Sequence, residues 1–209
     1  MKGKLVLTPD NSVTSGFLSK LAGTTVTYES RDPKGTIEAI LGCSAAVFQS
    51  LADGKATKVD IDGVFAILCD LLAKLLEKQG ASDEVSALIS KICAEVTADT
   101  ATATVARLSA LTQLFNTLGA GDVRQSMVLE QLLRFAAASG NMALLQPFLT
   151  GMDDLYKTWK FDQGKKRKMN LMIAELLQKA GLTAAGQSFL LRYLSSFEEP
   201  SKSTRARLG

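Results

Sequence analysis

The stretch IDGVFAILCDLLAKLL, residues 61–76, decides the fold class of this 209-residue chain. Its apolar side chains recur every three or four residues, which places them along one face of an α-helix. These side chains are Ile61, Val64, Phe65, Leu68, Leu71, Leu72, Leu75 and Leu76. Asp70 and Lys74 fall on the opposite face, and Gly80 follows as a C-cap. The pattern therefore predicts an amphipathic helix that packs against other helices.

The same period recurs through residues 36–198, which we interpret as about nine helices joined by short loops. Glycines that can end helices stand at positions 80, 119, 140 and 181, so two pairs of them lie 39 and 41 residues apart. A unit of two antiparallel helices about every 40 residues is typical of HEAT-like and related solenoids. We therefore expect an all-α helical-repeat domain over residues 36–198.

The two ends of the chain lack this period. Residues 1–35 are predicted to be irregular, with one short helix and then an extended or loop segment broken by Pro33 and Gly35. Residues 199–209 read as a basic tail or as the start of a missing region. The start is too poor in apolar residues for a signal peptide, and no apolar run approaches the ~20 residues that span a bilayer. We expect a soluble, intracellular protein that does not contact membranes.

Several residue patterns argue against catalysis. The chain has no histidine, which excludes Ser-His-Asp and Cys-His nucleophile systems and zinc sites that use histidine. Cys43, Cys69 and Cys93 lie among apolar residues without a CxxC pair, so they are interpreted as buried thiols. Phosphate-loop, dinucleotide and calcium-loop patterns are all incomplete. We expect no catalytic residue, no cofactor, no metal and no small-molecule substrate.

Two groups of residues are candidates for contact with partners. The net charge is −4 over residues 1–156 and +7 over residues 157–209, where Lys165, Lys166, Arg167 and Lys168 form a basic run. That run is either a solvated helix face or a contact with RNA or an acidic partner. It has no interleaved aromatic residue, so base stacking is not predicted. Trp159, with Tyr156 nearby, is interpreted as a packing anchor between repeats or as an interface anchor.

Three segments carry a resemblance to a known family: residues 107–118, 123–142 and 148–181, with Arg107 and Leu108 opening the first. They resemble the M-subunit family of eukaryotic translation initiation factor three, whose members are PCI-domain proteins. The resemblance implies a right-handed superhelix of antiparallel helix pairs, the HEAT- and TPR-like repeats of PCI proteins. Family members continue into a winged helix, whereas EEPSKSTRARLG follows Phe197 here, so no winged helix is expected in this sequence.

The resemblance also implies a function: a non-catalytic, cytoplasmic scaffold subunit of the initiation factor three complex. Such a subunit would bind the neighbouring subunits and support recruitment of the small ribosomal subunit, indirectly, with RNA contact through the basic C-terminal part as a further option. Two alternatives stay open. One is a PCI-type subunit of the proteasome lid or the COP9 signalosome. The other is a helical-repeat protein that binds nucleic acid directly.

Overall fold

The structure is a computed structural model that describes residues 32–80 and 82–197. The predicted short helix near the N-terminus and the basic tail over residues 199–209 lie outside these ranges. Within them every regular element is helical and no strand occurs, which confirms the all-α fold. The described residues fall into two compact units, with the boundary between Phe135 and Ala136.

The first unit contains six helices, the last of which crosses its boundary. They are α1 (Pro33–Gly42), α2 (Ser44–Ala52), α3 (Lys58–Gln79), α4 (Asp83–Thr97), α5 (Thr104–Thr117) and α6 (Arg124–Ala138). The second unit contains a short 3₁₀ helix and four α-helices. They are Met142–Leu145 (3₁₀), α7 (Gln146–Leu149), α8 (Met152–Thr158), α9 (Gln163–Lys179) and α10 (Thr183–Ser195).

Helices α3 and α5 of the first unit lie side by side and run in the same direction. Near their starts, the Ser109 hydroxyl donates to Asp62 Oδ1 over 2.9 Å. Further along both helices, a side-chain hydrogen bond joins Cys69 to Thr117. Helix α4 lies between them in sequence and follows the turn at Gly80. Helices α3 and α4 therefore form one pair, and α5 begins the next pair, which stacks on the first as in a helical repeat. The right-handed superhelix stays a prediction.

The apolar stripe of α3 is buried as predicted. Seven of its eight residues are at most 5% exposed, and Leu76 is half-buried. Phe65 of this stripe stacks on Phe48 of α2, with ring centroids 5.3 Å apart. The same period predicts one stripe on α5, formed by Val105, Leu108, Leu111, Leu114 and Phe115; four of these residues are buried, but the prediction is wrong at Val105, which is 50% exposed. It lies in the first turn of α5, and Val59 in the first turn of the neighbouring α3 is exposed as well.

The start of the first unit differs from the sequence-based expectation in two ways. Pro33 and Gly35 do not break the chain but lie in the first turn of α1, because Asp32 caps that turn by accepting from the Gly35 N–H over 3.0 Å. Proline suits this position since its missing N–H would have no helical partner there. The helical period from Thr36 to the turn at Asp53 and Gly54 predicts one helix, but the structure has two, α1 and α2, which meet at a 45° bend at Cys43.

Among the described residues, no single helix combines the length and apolar composition needed to cross a membrane. Only the bent pair α1–α2 meets both criteria when its two helices are taken together.

The second unit is built around the hairpin of α9 and α10. Gly181 turns the chain between them with φ of +76°, a conformation that side chains with a Cβ rarely adopt. At Gly186 a Cβ would lie 3.0 Å from Gln178 Cγ and 3.2 Å from the Ala174 carbonyl oxygen, so the two helices approach closely there. Pro147 predicts a short helix followed by a second helix that begins near Gly151, and this is confirmed, because α7 ends at Leu149 and α8 begins at Met152.

Candidate interaction surface

The basic run lies at the start of α9. The Asp162 carboxylate caps this helix by accepting from the Lys165 backbone N–H over 2.7 Å. Cations at a helix start oppose the helix dipole, and the capping carboxylate offsets part of that cost. Lys165 and Lys168 are exposed, whereas Lys166 and Arg167 are half-buried. The four cations therefore do not form one uniform solvated face.

Arg167 differs from the lysines because its guanidinium group already makes hydrogen bonds within the protein. It donates to the Ser196 hydroxyl over 2.9 Å and also to the Ser196 carbonyl oxygen. The same group lies 4.1 Å from the centroid of the Phe197 ring. Arg167 thus satisfies a carbonyl just past the end of α10, where helix carbonyls lack backbone partners. These hydrogen bonds link α9 to the residue that follows α10.

The fold brings aromatic rings to the basic run, although none is interleaved with it in sequence. Lys165 Nζ lies 5.7 Å from the centroid of the Phe161 ring, within the range of a cation–π contact. Phe197 is 55% exposed beside Arg167. Both rings come from outside the run, so the sequence of the run itself gives no sign of them.

Trp159 and Tyr156 lie inside the second unit. They are 3% and 2% exposed, and both pack on Phe161, with ring centroids 5.3 and 5.9 Å from it. The Tyr156 hydroxyl donates to Asn170 Oδ1 over 2.8 Å, and burial raises its pKa. With so little exposed surface, these residues have almost no area to offer a partner. Their geometry favours the packing interpretation.

The helical period places Phe189, Leu190, Tyr193, Leu194 and Phe197 on one apolar stripe along α10 and just past its end, and part of this stripe is exposed. Phe189 of that stripe is 5% exposed, as expected, but Leu194 and Phe197 are 49% and 55% exposed. Leu191, which sequence reasoning did not single out, is 66% exposed. The periodicity correctly identified residues that share a helix face, but it could not tell which face another element covers.

The second unit also has a shallow groove of about 150 Å³ between α7 and α10. Its lining residues are Gln146, Leu149, Thr150, Ala185, Ser188, Phe189 and Arg192. Arg192 is the one ionisable group among them; its guanidinium lies 4.8 Å from the Phe189 ring centroid and 3.5 Å from Asp153 Oδ2. A lone guanidinium that is already ion-paired provides no acid–base or nucleophilic pair.

The three cysteines are free and buried, which confirms their interpretation as buried thiols. Burial raises the pKa of all three, and that of Cys93 to about 12. A thiol with so high a pKa is almost entirely protonated at neutral pH, and the thiolate is the nucleophilic form. The cysteines therefore contribute to packing and are poorly suited to reaction.

The described residues thus define an all-helical protein with stacked helix pairs, whose last two helices carry exposed cations and exposed apolar side chains. The chain is similar to eukaryotic translation initiation factor 3 subunit M of Phaeosphaeria nodorum, at 29% identity over 131 residues. It is also similar to the protein of the same name in Dictyostelium discoideum, at 24% identity over 143 residues. Both matches agree with the resemblance read from residues 107–181.

These matches cover more of this chain than of the relatives. They take in 60% and 68% of this chain, but 30% and 34% of the two relatives. The chain therefore spans about a third of the length of the curated proteins it matches. No protein-family model matches the chain, and no solved structure matches it either.

Proposed function

We propose that this chain is a subunit of a eukaryotic translation initiation factor three complex, where it acts as a non-catalytic scaffold in the cytoplasm. The observation that carries the proposal is the similarity to two proteins named as subunit M, which covers 60% and 68% of the chain. The all-helical fold agrees with it, since stacked helix pairs present extended surfaces for protein partners.

The scaffold would work by separating two kinds of helix face. Apolar faces such as the stripe of α3 bury one another and hold the helices in register. Other faces, such as the exposed part of α10, are left for neighbouring subunits. The small ribosomal subunit would be recruited through the assembled complex rather than by this chain alone. PCI-type packing against neighbours belongs to the same proposal.

Purification of the tagged chain from its own cells tests this assignment. We expect quantitative mass spectrometry to recover the other initiation factor subunits in near-equal amounts with the chain, and a tag-only strain to recover none of them. Recovery of proteasome lid or signalosome subunits in their place would select that alternative. Recovery of none of the three complexes would overturn the assignment.

Direct contact with RNA through the basic run is a second candidate function. Lys165, Lys166 and Lys168 have no carboxylate partner within the described ranges, whereas some exposed lysines elsewhere do, such as Lys55 with Asp53. Cations without partners are available to neutralise phosphates. The exposed Phe197 ring beside them adds an apolar surface on which a base can stack.

The triple variant Lys165→Glu, Lys166→Glu, Lys168→Glu tests the RNA contact. If three phosphates are neutralised, the slope of log affinity against log salt should become shallower by about 2, at ~0.7 per phosphate on a single strand. Fluorescence anisotropy with a labelled oligouridine measures this slope. The matched control changes Lys58, Lys78 and Lys91, which are exposed in the first unit. Equal losses of RNA affinity in both variants would mean that only the net charge of the chain matters, and would exclude an RNA-binding site at the basic run.

A further inference from the structure

We propose that the outward side of α10 docks an amphipathic helix from a partner protein, and that this partner helix carries acidic residues beside its apolar stripe. The α10 outer face is defined here as Leu191, Leu194 and Phe197. The inference goes beyond the proposed function, because it assigns a surface and the chemistry of its occupant whatever complex the chain joins.

The composition of the α10 outer face is that of a buried helix face. Leu191, Leu194 and Phe197 are 66%, 49% and 55% exposed, and the other outward positions before them are alanine, glutamine and serine. A solvated helix face normally carries charged residues, as α3 does with Asp70 and Lys74. The opposite side of α10 already packs closely on α9 around Gly186. Helix α10 therefore has two apolar sides and only one of them is covered within the described residues.

The charges beside the α10 outer face determine the charge of the occupant. Helices α9 and α10 contain six cations and one acid, Glu175, and two further acids lie beside them, Asp162 at the start of α9 and Asp153 opposite Arg192. Cations therefore remain in excess. Arg167 touches the face directly, since its guanidinium lies on the Phe197 ring at 4.1 Å. Lys168 follows it on α9 and is exposed. An occupant with Asp or Glu beside its apolar residues would complement this rim and also be attracted to it at a distance.

The shape of the face favours a helix as the occupant. Leu191 and Leu194 lie one turn apart at the end of α10, and Phe197 follows at the same three-residue step, two residues past the end of the helix, so the three form a short ridge. Such ridges fit the grooves between side chains on a second helix, and helix-in-groove partners present anchors at the same spacing.

Two other occupants fit less well. Residues 198–209, EEPSKSTRARLG, contain one large apolar residue, Leu208, so they cannot supply a matching stripe. A second copy of the chain would bring its own cationic rim against this one, which like-charge repulsion opposes. Charge complementarity with the cationic rim therefore favours a different protein with acidic flanks.

Designed helical peptides test the chemistry of the occupant with the full chain. Two labelled 18-residue peptides share one leucine stripe; one carries glutamates on its flanks and the other carries lysines. We expect fluorescence anisotropy to show tighter binding of the glutamate peptide by about tenfold or more, and this preference to shrink as salt is added. The variant Leu191→Glu, Leu194→Glu should lose about tenfold or more in affinity for the glutamate peptide.

The control variant is Val59→Glu, Val123→Glu, which replaces two exposed valines of the first unit, 78% and 59% exposed. It should bind the glutamate peptide as the unchanged chain does, and circular dichroism should show that both variants keep their helix content. Equal binding of the two peptides, or binding of neither, overturns the proposal. So does a dimer in analytical ultracentrifugation that the Leu191→Glu, Leu194→Glu variant abolishes, because the occupant would then be a second copy. Since no initiation factor subunit is used, failure here leaves the proposed function to its own test.

Discussion

Replacing Arg107 with alanine is expected to lower the free energy of unfolding by about 3–5 kcal/mol, because it leaves several buried carbonyl oxygens without a donor and opens a cavity. Arg107 is 4% exposed at the start of α5. Its guanidinium lies 4.0 Å from the centroid of the Phe48 ring. Asp99 stands at 3.8 Å and is 41% exposed, so the ion pair contributes less than the burial and hydrogen bonds.

The hydrogen bonds of Arg107 explain the size of this effect. The guanidinium donates to the carbonyl oxygens of Val96 over 2.8 Å and Glu95 over 3.4 Å, both in the last turn of α4. Its Nε–H donates to the Thr102 carbonyl oxygen over 2.9 Å, in the loop before α5. Carbonyls at the end of a helix have no backbone donor, so Arg107 supplies donors that the backbone cannot. Alanine would leave these oxygens unsatisfied and open a cavity beside Phe48.

Urea denaturation of the full chain, followed by circular dichroism, measures the loss. The matched control is Arg134→Ala in the same unit, since Arg134 is 52% exposed and pairs with Glu130 one turn away. Its removal should cost no more than about 0.5 kcal/mol. Arg107→Lys should fall between the two, because one ammonium group cannot reach carbonyls on both sides. A cost below about 1 kcal/mol for Arg107→Ala would mean that water replaces the guanidinium.

The contrast between α3 and Arg107 shows what sequence can predict in this protein. The stripe of α3 was predictable because burial of an amphipathic helix depends on a period that is visible in sixteen consecutive letters. Arg107 was read only as the first residue of a family-like helix. Its role depends on backbone carbonyls 5, 11 and 12 residues away. Any residue type can supply such a carbonyl, so the hydrogen-bond partners of Arg107 cannot be identified from the sequence.

The interaction surface was predictable only in part for a related reason. The basic run is evident in sequence, but Arg167 is engaged by Ser196, which is 29 residues further along the chain. The apolar spacing of α10 is equally evident, yet spacing cannot show that Leu194 lies on the uncovered side. Both points depend on how α9 and α10 pack together, which is a property of the folded hairpin.

Replacing Gln125 with glutamate is the second change with a large expected effect, about 3 kcal/mol of stability at pH 7, because a buried donor to two carbonyl oxygens is replaced by a charge that faces them. Gln125 is 7% exposed near the start of α6. Its side-chain NH₂ donates to the carbonyl oxygens of Leu118 over 2.8 Å and Phe115 over 3.2 Å, at the end of α5. Glutamate has nearly the same shape, so the change tests the donor rather than the packing.

The effect of this change should depend on pH in a defined direction. In the Gln125→Glu variant, the ionised carboxylate would face two carbonyl oxygens in a buried site. This environment disfavours the charged form and raises the pKa of the new carboxyl in the folded protein above the ~4.3 of the unfolded chain. The loss of stability therefore develops as pH rises above the unfolded pKa and is complete above the folded pKa. Near pH 4 the carboxyl is protonated and can donate to one of the carbonyls, so the loss should shrink to about 1 kcal/mol.

Urea denaturation at several pH values between 4 and 8 measures this dependence as the difference between the Gln125→Glu variant and the unchanged chain. Gln178→Glu provides the control, because Gln178 is exposed on α9 and a carboxylate there stays solvated. Its difference from the unchanged chain should stay within about 0.5 kcal/mol at every pH. A loss for Gln125→Glu that does not change with pH would show that the carboxylate escapes to solvent. The amide of Gln125 would then not be the group that joins the end of α5 to the start of α6.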